Sequence, residues 1–196
     1  MDIFKLEHDK VAYRADIALY CITIAALAVY LMSHTPRGVR LQMAALALAG
    51  LASWTAIEYA MHRFLLHGLQ PFRSWHDRHH QRPKAIIFTP TILSLAWQFA
   101  LIFIPALFAL GLSRACALTA GMLTGYLAYT ITHHAVHHGH SDNPWLKRRK
   151  RWHAIHHHHT DKPACYGVTT EFWDRVFGST PAAEAAGKVK NKPDVY

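Results

Sequence analysis

Residues 41–61 read LQMAALALAGLASWTAIEYAM, and residues 62–67 read HRFLLH. A helix needs about 20 apolar residues to cross the hydrocarbon of a bilayer. The first stretch supplies 21, with a single acid, Glu58, close to its end. A soluble helix of that length carries a polar stripe, and this one carries none. It therefore reads as a membrane span, and the span runs directly into two histidines, His62 and His67. An apolar crossing that ends in imidazoles is the pattern from which the rest of the chain is read.

Three other segments are apolar enough to join it. Residues 17–32 are the shortest, 85–111 contain Pro90 and Pro105 and are expected to kink or tilt, and 115–132 carry no charge. Only Leu112, Ser113 and Arg114 separate the last two, which predicts a tight helical hairpin. The fold class expected is all-α and integral to a membrane, with about four transmembrane helices. Composition agrees. Apolar residues make up 52% and charged residues 17% of the 196, against about 25% charged in soluble domains. Mean hydropathy is only +0.03 because the charge is gathered in the tails and one loop. That excludes a disordered chain and argues against an ordinary soluble domain. Cys21, Cys116 and Cys165 are scattered, with no CxxC, so neither a disulfide framework nor a thiolate zinc site is expected. Residues 1–180 read as one membrane-embedded domain, and 181–196, small, polar and Lys-rich, as a flexible tail. Acids at positions 2, 7 and 9 precede the first apolar run, so no signal peptide is expected.

Lys5, Lys10 and Arg14 precede the first span, and Arg63, Arg73, Arg78, Arg82 and Lys84 lie between the second and third. Ten more cations follow the fourth, whereas the two remaining loops hold only Arg37, Arg40 and Arg114. Eighteen of the 21 thus fall on one side. By the positive-inside rule both termini and the 63–84 loop face the cytoplasm. The net charge of +9 then signifies orientation and contact with anionic lipid, as does the run 147–151 flanked by Trp145 and Trp152. No nucleic-acid motif accompanies it, and no nucleic-acid partner is expected.

Of the 17 histidines, 15 lie between His62 and His159. They form HxxxxH (62, 67), HxxHH (76, 79, 80), HHxxHH (133, 134, 137, 138) and HxxHHHH (153, 156–159). The topology derived from Lys and Arg alone puts every cluster on the same face. His76 with His79 or His80, His133 with His137, and His153 with His156 or His157 share helix faces. His62 and His67 do not: five residues turn about 500°, which is about 140° off one face. That pair needs the helix to distort near Gly68, or the two rings to approach from different sides. Imidazole suits Fe, Zn, Cu and Ni. Ten such ligands are too many for one ion and suit two. His134, His138, His140, His158 and His159 read as non-ligands.

Glu58-Tyr59, His62-Arg63-Phe64-Leu65 and His67 come first, then His76, His79 and His80. Thr132-His133, His137-His138, His153 and His156-His157 follow, closed by Tyr166-Gly167-Val168-Thr169 and Phe172-Trp173-Asp174-x-Val176-Phe177-Gly178. This ordered set resembles the fatty acid hydroxylase / sterol desaturase superfamily of integral-membrane enzymes, and most resembles its fatty acid 2-hydroxylase branch. The resemblance covers residues 50–180. It implies four transmembrane helices under a cytosolic helical cap, a dimetal site of two iron ions (zinc being able to replace iron on purification), and O2 as co-substrate. The ligands it implies are His62, His67, His76, His79, His80, His133, His137, His153, His156 and His157. A bacterial inner membrane or the ER would be the location, with the active site cytoplasmic.

Breaking an unactivated C–H bond is beyond any side-chain base and calls for a redox cofactor. The reading is an O2-dependent di-iron hydroxylase of a fatty acyl or related lipid. Sterol or carotenoid hydroxylation and desaturation stay open within the superfamily, and a His-rich metal transporter is the rival of another class. A transporter would place ionisable groups along a mid-membrane path, and only Gln98 is plainly polar deep in a span. About 16 residues precede the first span and no flavin or nicotinamide fingerprint is present. The expected partners are therefore a lipid substrate, the membrane and a separate electron donor such as cytochrome b5, a ferredoxin or a reductase. Glu58, Asp77 and Asp174 are candidates to orient the imidazoles from behind, and Trp97, Phe99, Phe103, Phe108, Tyr126 and Tyr129 to line or flank an acyl channel.

Overall fold

The structure, a computed structural model, describes residues 7, 9–86, 91–158 and 163–180. Among these the regular elements are all helical: α1 (Lys10–His34), α2 (Arg40–Ala60), α3 (Phe72–Gln81), α4 (Thr91–Gln98), α5 (Ile104–Leu110), α6 (Leu112–His138), α7 (Pro144–His158) and α8 (Phe172–Val176). The tail expected at 181–196 lies outside the described residues, as does Pro90.

The chain divides into two compact units. One comprises the described parts of Met1–Trp54 and Ala85–Leu127, the other those of Thr55–Lys84 and Ala128–Tyr196. Helices α2 and α6 each run from the first unit into the second.

The first unit holds most of the apolar sequence. Helix α1 begins seven residues earlier than the hydropathy expectation, because Asp9 caps it by accepting from the Ala12 amide at 2.8 Å. Helices α2 and α6 approach closely at glycines. A Cβ on Gly121 would lie 1.9 Å from the Ala47 carbonyl oxygen, and one on Gly50 2.2 Å from that of Leu118. Only a hydrogen side chain permits this contact, the small-residue packing of helices that meet in lipid. The Tyr20 hydroxyl meets Ser94 at 2.7 Å and accepts from the Gln98 amide at 3.2 Å. Gln98 is thus tied to a neighbouring helix, as a polar group in an apolar span must be.

Among the described residues, three stretches are long and apolar enough to cross a membrane: Lys10–His34, Arg37–Leu66 and Leu93–Leu110. Helix α6 has the length, at 27 residues. Its Thr, Gly and Tyr residues dilute its apolar character, and Ala115, Ala117, Met122 and Leu123 are buried in protein. The turn expected over residues 112–114 contracts to Gly111 alone, whose φ of +81° suits glycine. The bend expected at Pro105 is realised one turn earlier, as a π-helical segment at Phe99–Phe103. Proline lacks the amide that would bond back to residue 101, and its ring crowds that carbonyl.

Trp97, Phe99 and Phe108 are 53%, 54% and 85% exposed, so they are not enclosed in the protein's interior. Tyr126 packs between Tyr20 and Trp54, at 4.6 and 5.2 Å between ring centres.

Candidate metal centre

The second unit gathers the histidines. It begins where α2 changes its winding: Met61–Leu66 form a π-helical turn, closed by the His67 amide donating to the His62 carbonyl, five residues back, at 3.2 Å. That wider turn resolves the five-residue spacing. It brings the two rings to 5.3 Å between centres, which α-helical winding would not. The distortion begins at Met61, seven residues before Gly68. Gly68 then lets the chain double back, since a Cβ there would lie 2.2 Å from the Phe64 carbonyl oxygen.

Two sets of imidazoles result. His62, His67, His76, His80 and His156 each offer a nitrogen within 4.8 Å of all the others, and so do His79, His133, His137 and His153. In the first set, the Nε2 atoms of His62 and His76, and of His80 and His76, are 3.0 Å apart. Those of His67 and His156, and of His156 and His80, are 3.1 Å apart. In the second set His153 and His137 stand at 2.8 Å. His157 stands beside it, its Nε2 3.0 Å from that of His153, with its ring stacked on His80 at 4.2 Å. His134 and His138 belong to neither set and face each other at 4.5 Å. His140 and His158 are exposed, and His159 lies outside the described residues.

The donor set fits metal. Two nitrogens bound at right angles to one ion at about 2.1 Å would lie about 3.0 Å apart, the spacing found here. His62, His79, His137, His153 and His156 are all 5% exposed or less. Burial lowers the pKa of His67 and His80 to about 4, and pushes His76, His79, His153 and His156 well below the ordinary imidazole value, with mutual repulsion adding to it. Imidazoles kept neutral at pH 7 are the form that binds a cation. Among the described residues, neither nitrogen of the buried His79 has a hydrogen-bond partner.

The acids expected behind the rings are placed differently. Glu58 and Asp174 are 4% and 0% exposed, yet among the described residues neither hydrogen-bonds an imidazole. Glu58 accepts from the amides of Val168 (2.7 Å) and Thr169 (2.9 Å) and from the Thr169 hydroxyl. Asp174 accepts from the amides of Tyr166 (2.9 Å) and Gly167 (2.8 Å), from the Ser179 hydroxyl (2.8 Å) and from the Trp152 indole (3.3 Å). Burial raises the Asp174 pKa even against those bonds. The groups that do meet the rings are main-chain carbonyls: His62 Nδ1 donates to Tyr166 (2.5 Å) and His156 Nδ1 to Ala164 (2.8 Å). Sequence reasoning could not see this, because a carbonyl has no residue type. The one signal was the Tyr166–Thr169 motif itself. Asp77 pairs instead with Arg73 one turn away, at 3.9 Å and half exposed, and reaches His67 only through its charge.

Two other expectations change. The basic run 147–151 is not a uniform surface patch: Arg149 is 4% exposed, and both it and Arg148 bind the buried Glu171. Tyr129 stacks on His133 at 5.7 Å, and the Tyr166 ring stands 5.5–5.8 Å from His62, His67 and His156.

A family model described as fatty acid hydroxylase matches residues 47–179. The dihydroceramide fatty acyl 2-hydroxylase FAH2 of Arabidopsis thaliana is 32% identical over 163 residues, covering 75% of this chain and 65% of its own. The ceramide very long chain fatty acid hydroxylase scs7 of Schizosaccharomyces pombe is 31% identical over 163 residues, covering 74% and 45%. The fatty acid 2-hydroxylase of Rattus norvegicus is 29% identical, covering 74% and 42%. The chain therefore spans about two fifths to two thirds of these relatives' length. A solved structure described as full length scs7p, with only its hydroxylase domain visible, superposes with a TM-score of 0.76 at 26% identity. It covers 87% of this chain and 67% of that one.

Proposed function

We propose, from the premise that this chain belongs to the fatty acid hydroxylase family, that it hydroxylates a fatty acyl chain, at carbon 2 as the names of the Arabidopsis thaliana and Rattus norvegicus relatives state of those proteins. The observation that carries this reading is the convergence of nine buried or half-buried imidazoles into two sets. His62, His67, His76, His80 and His156 would hold one ion, and His79, His133, His137 and His153 with His157 the other. Two metals there, iron in this reading, would supply the reductive activation of O2 that an alkyl C–H bond demands. One oxygen atom enters the C–H bond and the other leaves as water, so two electrons and two protons come from outside. We assign the electrons to a separate one-electron carrier.

The chain's own part is to hold neutral rings in place and to keep bulk water from them. All-imidazole ligation keeps the full positive charge of the ions, unlike carboxylate-rich di-iron sites. Convergence also bears on topology. His62–His80 precede the helical pair Leu93–Leu110 and Leu112–His138, and His133–His157 end or follow it. One crossing between the two groups would part them by a bilayer, so both members of the pair cross or neither does. In our reading both cross, which makes four spans with termini and histidines on the cytoplasmic side.

The test is lipid analysis of cells expressing the chain or its His156→Ala variant. The expected result is acyl chains heavier by one oxygen, hydroxylated at carbon 2, with the wild type only. Oxygenation unchanged by His156→Ala would refute the site. A double bond in place of the hydroxyl would move the chain to desaturation.

A further inference from the structure

The two histidine sets differ in what stands behind them. In the five-histidine set, the Tyr166 and Ala164 carbonyls accept from His62 Nδ1 and His156 Nδ1. A ring whose Nδ1 donates carries its lone pair on Nε2, the atom that faces the set. Each carbonyl therefore fixes both tautomer and rotation. The carbonyls are fixed in turn. Asp174 ties down the amides of Tyr166 and Gly167, and Glu58 those of Val168 and Thr169. Two buried carboxylates, 116 positions apart in the sequence, thus grip consecutive peptide groups of one short segment. Gly167 makes the grip possible, since a Cβ there would lie 2.0 Å from the Thr170 carbonyl oxygen and 3.0 Å from Asp174 Oδ2. In the four-histidine set, by contrast, the buried Nδ1 atoms of His79 and His153 meet no partner among the described residues.

We propose that Glu58 and Asp174 are positioning residues for one metal position of the two. Acting through residues 164–169, they pre-set His62 and His156, so that the five-histidine position holds its ion more tightly than the other. This rests on the reading of both sets as metal positions. Outer partners of a metal-bound histidine are worth about 10–100-fold in metal affinity, which sets the scale of the difference. Among the described residues neither carboxylate bonds a histidine of the second set, so the proposal expects that set's affinity to change little when Glu58 is altered.

The test uses the full chain in detergent, stripped of metal and titrated with cobalt(II) against a competing chelator, read by the cobalt visible absorption. His133→Ala with His137→Ala leaves the five-histidine position, and His76→Ala with His80→Ala leaves the other. The expected result is tighter binding in the first background. Glu58→Gln should weaken that binding about 10–100-fold and leave the second background within about twofold. A merely structural role would weaken both alike, and that outcome overturns the proposal, as does no weakening in the first. Where Glu58→Gln fails to fold by helical circular dichroism, Thr169→Val removes only the hydroxyl donor to Glu58 and must show the same selectivity at smaller size. A wild-type chain that takes up no cobalt overturns the metal reading and this proposal with it. Two ions bound and lost equally overturn this proposal alone.

Discussion

Replacing Glu171 by glutamine removes one charge and almost no volume, and the structure sets the cost. Glu171 is 6% exposed and holds three arginines. Arg148 binds it with two arms at 2.6 Å, Arg175 with one at 2.9 Å, and Arg149 with one more. Burial alone would raise the carboxyl pKa; hydrogen bonds from Arg148 and Arg175 and the charge of Arg149 override it and hold it at about 2. Arg148 and Arg175 have exposed side chains, so water replaces most of what they lose. Arg149 decides the outcome. It is 4% exposed, and among the described residues its Nε and Nη1 have no hydrogen-bond partner. Removing one side of a buried pair leaves the other charge uncompensated, at about 3–5 kcal/mol. For a chain of this size that is a fall in Tm of roughly 6–20 °C. Intrinsic-fluorescence melting in detergent at pH 7 measures it, with Trp152 reporting locally because its ring lies 6.0 Å from the Arg149 guanidinium. The folded carboxyl titrates near 2 and the free one near 4.5. The contribution is therefore complete above pH 4.5 and is lost as pH falls toward 2. Arg149→Met combined with Glu171→Leu should recover most of the loss. A Glu171→Gln protein melting within about 2 °C of wild type would refute the reasoning.

Metal-stripped protein should lose stability as pH falls from 6.5 toward 4. The unfolded rings titrate near 6.5 while His67 and His80 are held to about 4, so unfolding takes up protons across that window. A melting temperature flat from pH 8 to 5 would contradict it. A reporter fused after Tyr196 should read cytoplasmic and one inserted at Gly38 or Ser113 external. Cysteine labelling that places positions 76 and 153 on opposite faces would end the shared-site reading. Gly121→Leu should separate α2 from α6 and abolish accumulation of folded protein in the membrane, because its Cβ would enter the Ala47 carbonyl. Wild-type yield in detergent extracts would show the contact to be loose.

The helices were legible because lipid selects apolar residues one at a time, and a span of 21 announces itself. Boundaries were less so. The start of α1 depends on one Asp9 cap rather than on hydropathy, and the break before α6 on the φ of Gly111. Histidine spacing indicated which rings share a face but left His62 and His67 unreconciled, since a π turn is a choice between two hydrogen-bond registers that both sequences of donors allow. The roles of Glu58 and Asp174 were half legible. Two buried acids near histidines invite direct contact, and what intervenes is main chain, whose hydrogen bonds carry no residue label.

The grouping of the rings follows from helix geometry alone. Positions four apart on a helix differ by about 40°, and positions three apart by about 60° in the opposite sense. In His76-x-x-His79-His80, the outer pair therefore looks one way and His79 the other, and the structure sends His76 and His80 to one set and His79 to the second. Helix α7 repeats the division, with His153 and His157 on one side and His156 on the other. Each HxxHH helix is thus a partition between two sets, and neither set is complete without both helices. It follows that α3 and α7 must dock together for either set to close. A substitution that rotates one of them disturbs both sets, whereas the proposal expects one that loosens only residues 164–169 to disturb one.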